Sequence, residues 1–276
     1  MTEHEALLSW GKYRQTGFRS RWAQLLTTLG LGRGSFKKAI IKLWLQECAE
    51  GLVDKEVHGI KYRLDIKHNT TDTRLLTSSL KYDDEELSFL SSSTSIKKNC
   101  FIDIGANTGY YSLTMAKCGF DKIIAIEPNP PTLSRLRVNI ALNKWDEKIR
   151  VAPYCVGEKG NVPFYCAGGL GDASVIKKEG VKPLWIESMP LLDILATYGI
   201  QSIDALKIDV EGFEDQALQP FFKNAPKALY PQKIVIEHCH QTNWQLDIIA
   251  TMQEHGYVIV GRNRSNTFLR HNNCPT

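Results

Sequence analysis

The chain has 276 residues, 43% of them hydrophobic, enough for one α/β domain with a sizeable core plus an appendage. A formal charge of +4 is too small at this length to indicate a nucleic-acid binder, and no apolar run approaches the roughly eighteen residues a membrane span needs. The start MTEHEALLSW is too acidic and polar for a secretory signal, and seven scattered cysteines without a CxxC pair favour neither a disulfide framework nor a zinc ribbon, so a soluble protein of the reducing cytoplasm is expected.

Residues 1–55 read as a basic, mostly helical extension. Between Ala6 and Gln46 stand Lys12, Arg14, Arg19, Arg21, Arg33, Lys37, Lys38 and Lys42, with no Asp or Glu. Two or three short helices broken at GLGRGS (30–35) carry apolar faces in LLTTLG and AIIKLWL. That pattern fits peripheral membrane contact, a homo-oligomer arm, a lid over an acidic substrate, or an ordinary solvated cap. Residues 56–276 form the catalytic-size domain. VHGIKYRLDI (57–66) alternates as a strand or hairpin does, and DDEELSFL (83–90) opens with carboxylates that suit a helix N-terminus.

From Cys100 the apolar runs CFIDI, KIIAIE, IRVAPYCV, ALKIDV and KIVIEH alternate with helical stretches. This is the pattern of βα units whose parallel sheet is buried on both faces. YVIVGR and NTFLRH then pair antiparallel at the sheet edge. Ligands of such a sheet lie beyond the carboxyl ends of its strands, so the motifs there converge. FIDIGANTGYYSL holds Asp103 in the first strand and Gly105 and Gly109 in a tight turn before a helix near Tyr110. GxxxG replaces the GxGxxG of a dinucleotide site, and the acid upstream suits a cationic amino-acid ligand better than a pyrophosphate. IIAIEPNP places Glu127 at the end of the second strand, 22 positions after Gly105, an interval at which an acid accepts hydrogen bonds from a ribose diol.

IDALKIDVEGFE puts Lys207 and Asp209 on one strand face, with Glu211 and Gly212 in the loop that follows. Ionisable groups so crowded on a buried strand are costly unless paired with one another or used. KIVIEHCH brings Glu237 and His238 to the end of the fifth strand, and His238 with His240 offers a His-x-His zinc pair that no further ligand spacing supports.

In this order the motifs resemble the FkbM-type S-adenosylmethionine-dependent methyltransferases, a class I Rossmann-like group that mostly methylates hydroxyls of sugars and secondary metabolites. The likeness covers residues 57–271, with IDVEGFE its most discriminating element. It implies an α/β fold with a mostly parallel seven-stranded sheet, the last strand antiparallel. S-adenosyl-L-methionine is the implied cofactor, with Asp103, Gly105, Ala106, Asn107 and Gly109 around its methionine part, Glu127 on the ribose, and Val156 and Gly157 near the adenine. Asp209 and Glu211 would border the reacting centre, with Glu237 and His238 alongside.

The expected reaction is in-line transfer to a hydroxyl of a sugar, glycan or secondary metabolite. His238 is the first choice of base and Asp209 and Glu211 are its rivals, while Lys207 neutralises Asp209. Alternatively Asp209 and Glu237 hold a divalent ion such as magnesium that polarises the hydroxyl. The glycine-rich stretch 158–190 is expected as a substrate-side loop. An N-methyltransferase is disfavoured because Val-Glu-Gly stands where an Asn/Asp-Pro-Pro-Tyr/Phe loop would be, and a cofactor-binding scaffold is the reading from another class.

Overall fold

The computed structural model describes residues 9–32, 36–48, 50–78, 83–92, 98–166, 173–176 and 179–274. Arg33 and most of the acidic start fall outside these. The N-terminal part folds as α1 (Phe18–Thr28), α2 (Lys37–Leu45), a hairpin of β1 (Leu52–Val57) and β2 (Ile60–Asp65), α3 (Thr70–Ser78) and α4 (Asp84–Ser91). The expected boundary between residues 55 and 56 therefore falls inside β1. Ala23, Ile40 and Trp44 join the same apolar cluster as Phe101, Leu113 and Ile123, so the extension shares the core of the main domain.

One ion pair ties the chain's start to the hairpin. Arg63 Nε donates to Asp54 Oδ1 at 2.7 Å and Nη2 to Oδ2 at 3.0 Å, with both side chains buried. Asp54 also accepts from the amides of Gly11 and Tyr13, and the guanidinium lies 4.6 Å from the Tyr13 ring. Both charges thus have their hydrogen bonds met, the condition for burying them without a large desolvation loss.

The main sheet follows as β3 (Cys100–Ile104), β4 (Lys122–Ile126) and β5 (Ile149–Ala152), then a small sheet of β6 (Cys155–Val156), β7 (Gly160–Cys166), β8 (Ala173–Ser174) and β9 (Leu184–Met189). β10 (Ala205–Ile208), β11 (Lys233–Glu237), β12 (Tyr257–Arg262) and β13 (Asn266–His271) complete the main sheet in the order β12-β13-β11-β10-β3-β4-β5. β13 runs antiparallel between β11 and β12, so the expected seven strands are present with one reversed. Helices 110–117 and 130–143 cover one face and helices 191–197, 214–224 and 248–254 the other, which is why β3 and β10 are apolar almost throughout. Because β4 and β10 flank β3 on opposite sides, the sheet's direction of growth reverses there, and a crevice opens above it.

The stretch 158–190 is not the open loop expected. Its described residues pair in the order β6-β9-β7-β8, and Phe164 and Ile186 are buried over a satellite core with Cys155; residues 167–172 and 177–178 lie outside the description. Among the described residues no helix is long and apolar enough to cross a membrane. Removing one partner of the buried pair tests the N-terminal tie: Asp54→Ala should lower the unfolding free energy by about 3–5 kcal/mol, read as a lower urea midpoint at unchanged slope.

Candidate active site

β3 ends at Ile104, and the chain turns through Gly105 (φ 80°), Asn107 (φ 50°) and Gly109 (φ 97°) into the helix Tyr110–Lys117. A Cβ on Gly105 would lie 1.9 Å from the Asp209 carbonyl oxygen, so only glycine lets the loops after β3 and β10 approach this closely. The Gly105 and Ala106 amides both donate to the Ile126 carbonyl at 3.0 Å. The next amide, of Asn107, donates to Glu127 Oε2 at 2.9 Å, and the Asn129 amide donates to Oε1 at 2.9 Å. Each carboxylate oxygen keeps a further acceptor position, matching the two hydroxyls of a diol. Burial pushes the Glu127 carboxyl up to about 7 despite those amides.

A second layer braces this loop from outside the recognised motifs. Thr108 Oγ1 donates to Asp72 Oδ1 at 2.6 Å, Asp72 Oδ2 accepts the Asp65 amide at 2.7 Å, and Asn69 Nδ2 donates to Asn107 Oδ1 at 2.7 Å. Asn69 and Asp72 carry no pattern in the sequence; their proximity comes from the hairpin.

Beneath the crevice lies one buried ammonium. Lys207 pairs in register with Asp103 on β3, and its Nζ reaches Asp209 Oδ2 at 3.3 Å and stands 5.3 Å from the Tyr111 ring. Burial alone would pull its pKa down; Asp209, Glu237, Asp83 and Asp103 outweigh that and hold it above the usual lysine range. Asp103 accepts from Ser112 Oγ at 2.5 Å and Asp83 from Tyr111 Oη at 2.7 Å, and burial pushes each carboxyl up to about 6.

The pocket above measures about 370 Å³. Gly105, Ala106, Asn107 and Glu127 line it on the β3–β4 side, Val156, Phe164 and Phe213 supply apolar walls, and Asp209, Glu211, Glu237 and His240 line it on the β10–β11 side. β4 and β11 are three strand spacings apart, about 14 Å, room for a nucleoside at one side and an acceptor at the other. Asp103, Gly109, Gly157 and Lys207 are not in the lining. Gly157 instead packs under Phe213, whose ring a Cβ there would meet at 3.3 Å.

The structure also separates His238 from the other expected residues. Side chains alternate along β11, so with Glu237 in the pocket His238 turns to Thr267 on β13, with Nδ1 3.0 Å from Oγ1, and does not line the cavity. Burial and Arg262 hold its pKa below the ordinary value. His240 takes that place, its Nδ1 3.4 Å from Glu211 Oε2 and 3.7 Å from Glu237 Oε2. Glu237 Oε2 is buried without a hydrogen-bond partner among the described residues. Burial, then Asp209 and Glu211, push this carboxyl above its ordinary range. Glu211, Glu237 and His240 can each offer one ligand atom within 4.8 Å of the others. Asp209, expected beside Glu237 as a metal ligand, stands outside that group with its carboxylate on Lys207.

A parallel sheet with one inserted antiparallel strand, a glycine turn after its first strand and a buried acid at the end of its second are the plan of the class I, Rossmann-like methyltransferase fold. The model of the methyltransferase FkbM domain matches residues 103–259, more than half of the chain, and the chain belongs to that family. A comparison with the curated proteins finds no match.

Solved structures similar to this one include Trm5 of Methanocaldococcus jannaschii in complex with adenosine, 16% identical with a TM-score of 0.42, covering 81% of this chain and 56% of that one. The chain thus spans little more than half of that protein. The putative transferase PH0793 of Pyrococcus horikoshii is 15% identical with a TM-score of 0.42, covering 98% and 94%. The human methyltransferase 10 domain containing protein is 12% identical with a TM-score of 0.44, covering 92% and 97%.

Replacing the buried ammonium by an apolar group leaves the carboxylates around it unneutralised. Lys207→Met should cost about 3–5 kcal/mol of stability. Their proton affinity in the folded state would rise further above that in the unfolded chain, so folding takes up protons and stability falls as pH rises above about 4. Urea unfolding should accordingly show a larger loss at about pH 8 than at about pH 5; an equal loss at both would mean that lysine matters here only for packing.

Proposed function

We propose that the protein transfers the methyl group of S-adenosyl-L-methionine to a hydroxyl of a sugar, a glycan or another small acceptor. The observation that carries this reading is the convergence of Glu211, Glu237 and His240 on the side of the pocket away from Glu127. The cofactor, when bound, supplies a methyl group already activated by a cationic sulfur. Glu127 accepts from the ribose hydroxyls, the Gly105–Asn107 turn admits the methionine part, and Val156, Phe164 and Phe213 enclose the adenine. The neighbouring carboxylates suit the positive sulfur, and the Lys207 ammonium beneath keeps them from repelling one another. The reducing cytoplasm is the proposed setting, where the seven free thiols persist.

The chain then has two tasks, to align the acceptor and to take its proton. Alignment of bound reactants is worth on the order of 7–11 kcal/mol. His240 takes the proton at a ring nitrogen, oriented by Glu211, and Glu237, whose proton affinity is raised by burial and its acidic neighbours, donates a hydrogen bond to the acceptor when protonated. This moves the base from His238 to His240. A second reading has the specific support of the same three groups: Glu211, Glu237 and His240 would hold a divalent ion that polarises the hydroxyl. A nitrogen acceptor gains no support, since Asp209–Gly212 reads Asp-Val-Glu-Gly.

Formation of S-adenosylhomocysteine with a panel of sugar and small hydroxyl acceptors tests the reading; no turnover with any acceptor, while the cofactor binds, would favour a scaffold. His240→Ala should lower kcat by roughly 10²–10⁴-fold with cofactor affinity nearly unchanged, and His238→Ala should leave kcat close to wild type. Activity that survives a chelator assigns the proton to His240, whereas activity lost and restored by magnesium or manganese assigns activation to the ion. Glu127→Ala should weaken cofactor binding by on the order of 10–100-fold in calorimetry, the worth of its charged hydrogen bonds. Wild-type affinity should itself fall as pH drops below about 7, where the buried Glu127 takes up a proton and loses acceptor capacity.

A further inference from the structure

Helix α1 is turned the wrong way round for a helix that serves only to cover the core. At 3.6 residues per turn, Leu25, Phe18, Leu29 and Trp22 fall within an arc of about 60°. These four are 47, 74, 66 and 47% exposed. Ser20 and Ala23, on the opposite face, are the buried ones. Arg19 and Arg21 flank the apolar arc, one on each side. Phe18 and Trp22 meet edge to face at 5.9 Å between ring centroids, and Leu31 and Phe36, further along the chain, are exposed as well.

The orientation is built into the fold. The Glu47 carboxylate accepts from the amides of Arg19 (2.8 Å) and Ser20 (3.1 Å), capping the start of α1 from the segment after α2. Gly17 leaves the room for it, since a Cβ there would lie 2.2 Å from Glu47 Oε2. Downstream, a Cβ on Gly32 would lie 1.9 Å from the Thr77 carbonyl oxygen, so the exit of α1 is pressed against α3. Rotating the helix to hide its apolar arc would break both contacts.

We propose that this face docks on an anionic lipid surface. An apolar arc rich in large side chains with arginines on both borders is the arrangement of a helix lying in the plane of a membrane interface. Charge decides between occupants. The stretch Ala6–Gln46 carries eight basic residues and no acidic one, so a second copy of the chain would set like charges against each other, while an anionic leaflet attracts each base. Peripheral docking is consistent with the lack, among the described residues, of any helix able to cross a membrane. The proposal stands apart from the methyl-transfer reading, because none of these residues lines the pocket.

Co-sedimentation of the full chain with phosphatidylcholine vesicles, with and without phosphatidylserine, tests it. Wild type should pellet with the phosphatidylserine vesicles, less so as salt rises. Phe18→Gln with Trp22→Gln, and separately Arg19→Gln with Arg21→Gln, should each lower the partition coefficient by about tenfold or more, with S-adenosylhomocysteine affinity unchanged as the check that the fold is intact. Wild type left in the supernatant, equal binding to both vesicle types, or variants that pellet like wild type would each overturn the proposal. A concentration-dependent dimer in analytical ultracentrifugation that the Phe18/Trp22 variant abolishes, without vesicle binding by wild type, would reassign the face to a second copy. Capture of an acidic protein through the same residues, again without vesicle binding, would reassign it to that partner.

Discussion

The site is built around a buried positive charge. Lys207 sits inside the sheet with almost no access to solvent, and an isolated ammonium there would lose its proton rather than give up hydration. Asp103, Asp209, Asp83 and Glu237 reverse that outcome by surrounding it. The dependence is mutual, because carboxylates gathered so closely stay ionised only when a cation compensates part of their repulsion. Not all are compensated equally: Asp209 pairs with Lys207 directly, while burial, Asp209 and Glu211 push the Glu237 carboxyl above its ordinary range. Two neighbouring strands, β10 and β11, thus end in carboxyl groups in different settings, one held on an ammonium and one beside a second acid.

That arrangement explains the division of the pocket. On the β3–β4 side the backbone shapes the wall: amides converge on Glu127, and Gly105 gives up its side chain so that two loops can nearly touch. On the β10–β11 side the side chains take over, and Glu214 holds their loop in place by accepting from the Val210 and Gly212 amides and from Trp244 Nε1. The small sheet that includes β7 closes the cavity from a third direction, with Ser174 Oγ donating to the Glu211 carbonyl oxygen. If, as proposed, the β3–β4 side takes the cofactor and the separately braced β10–β11 side the acceptor, the second can vary in specificity while the first keeps its geometry.

The N-terminal segment belongs to this site and to the surface at once. Its hairpin and α3 supply Asn69 and Asp72 behind the glycine turn, and α1 rests on the same structure with its apolar face outward. The Asp54–Arg63 pair joins the chain's start at Gly11 and Tyr13 to the hairpin that precedes Asn69 and Asp72.

The amino-acid sequence alone determined the parallel sheet, the glycine turn, Glu127 and the Lys207–Asp209 pair, because each depends on residues close together along the chain: strand periodicity, a left-handed turn that excludes a side chain, two positions on one strand face. Tertiary structure decided what depends on the direction of a side chain leaving an irregular loop. Alternation along β11 sent His238 toward Thr267, and the turn beyond brought back His240, a difference of two positions that no spacing rule distinguishes. It also decided the hydrogen bonds between segments more than thirty residues apart, such as Asp72 to Thr108, and the outward face of α1, since a helix's apolar arc shows in sequence whereas the side of the protein it faces is set by what packs behind it.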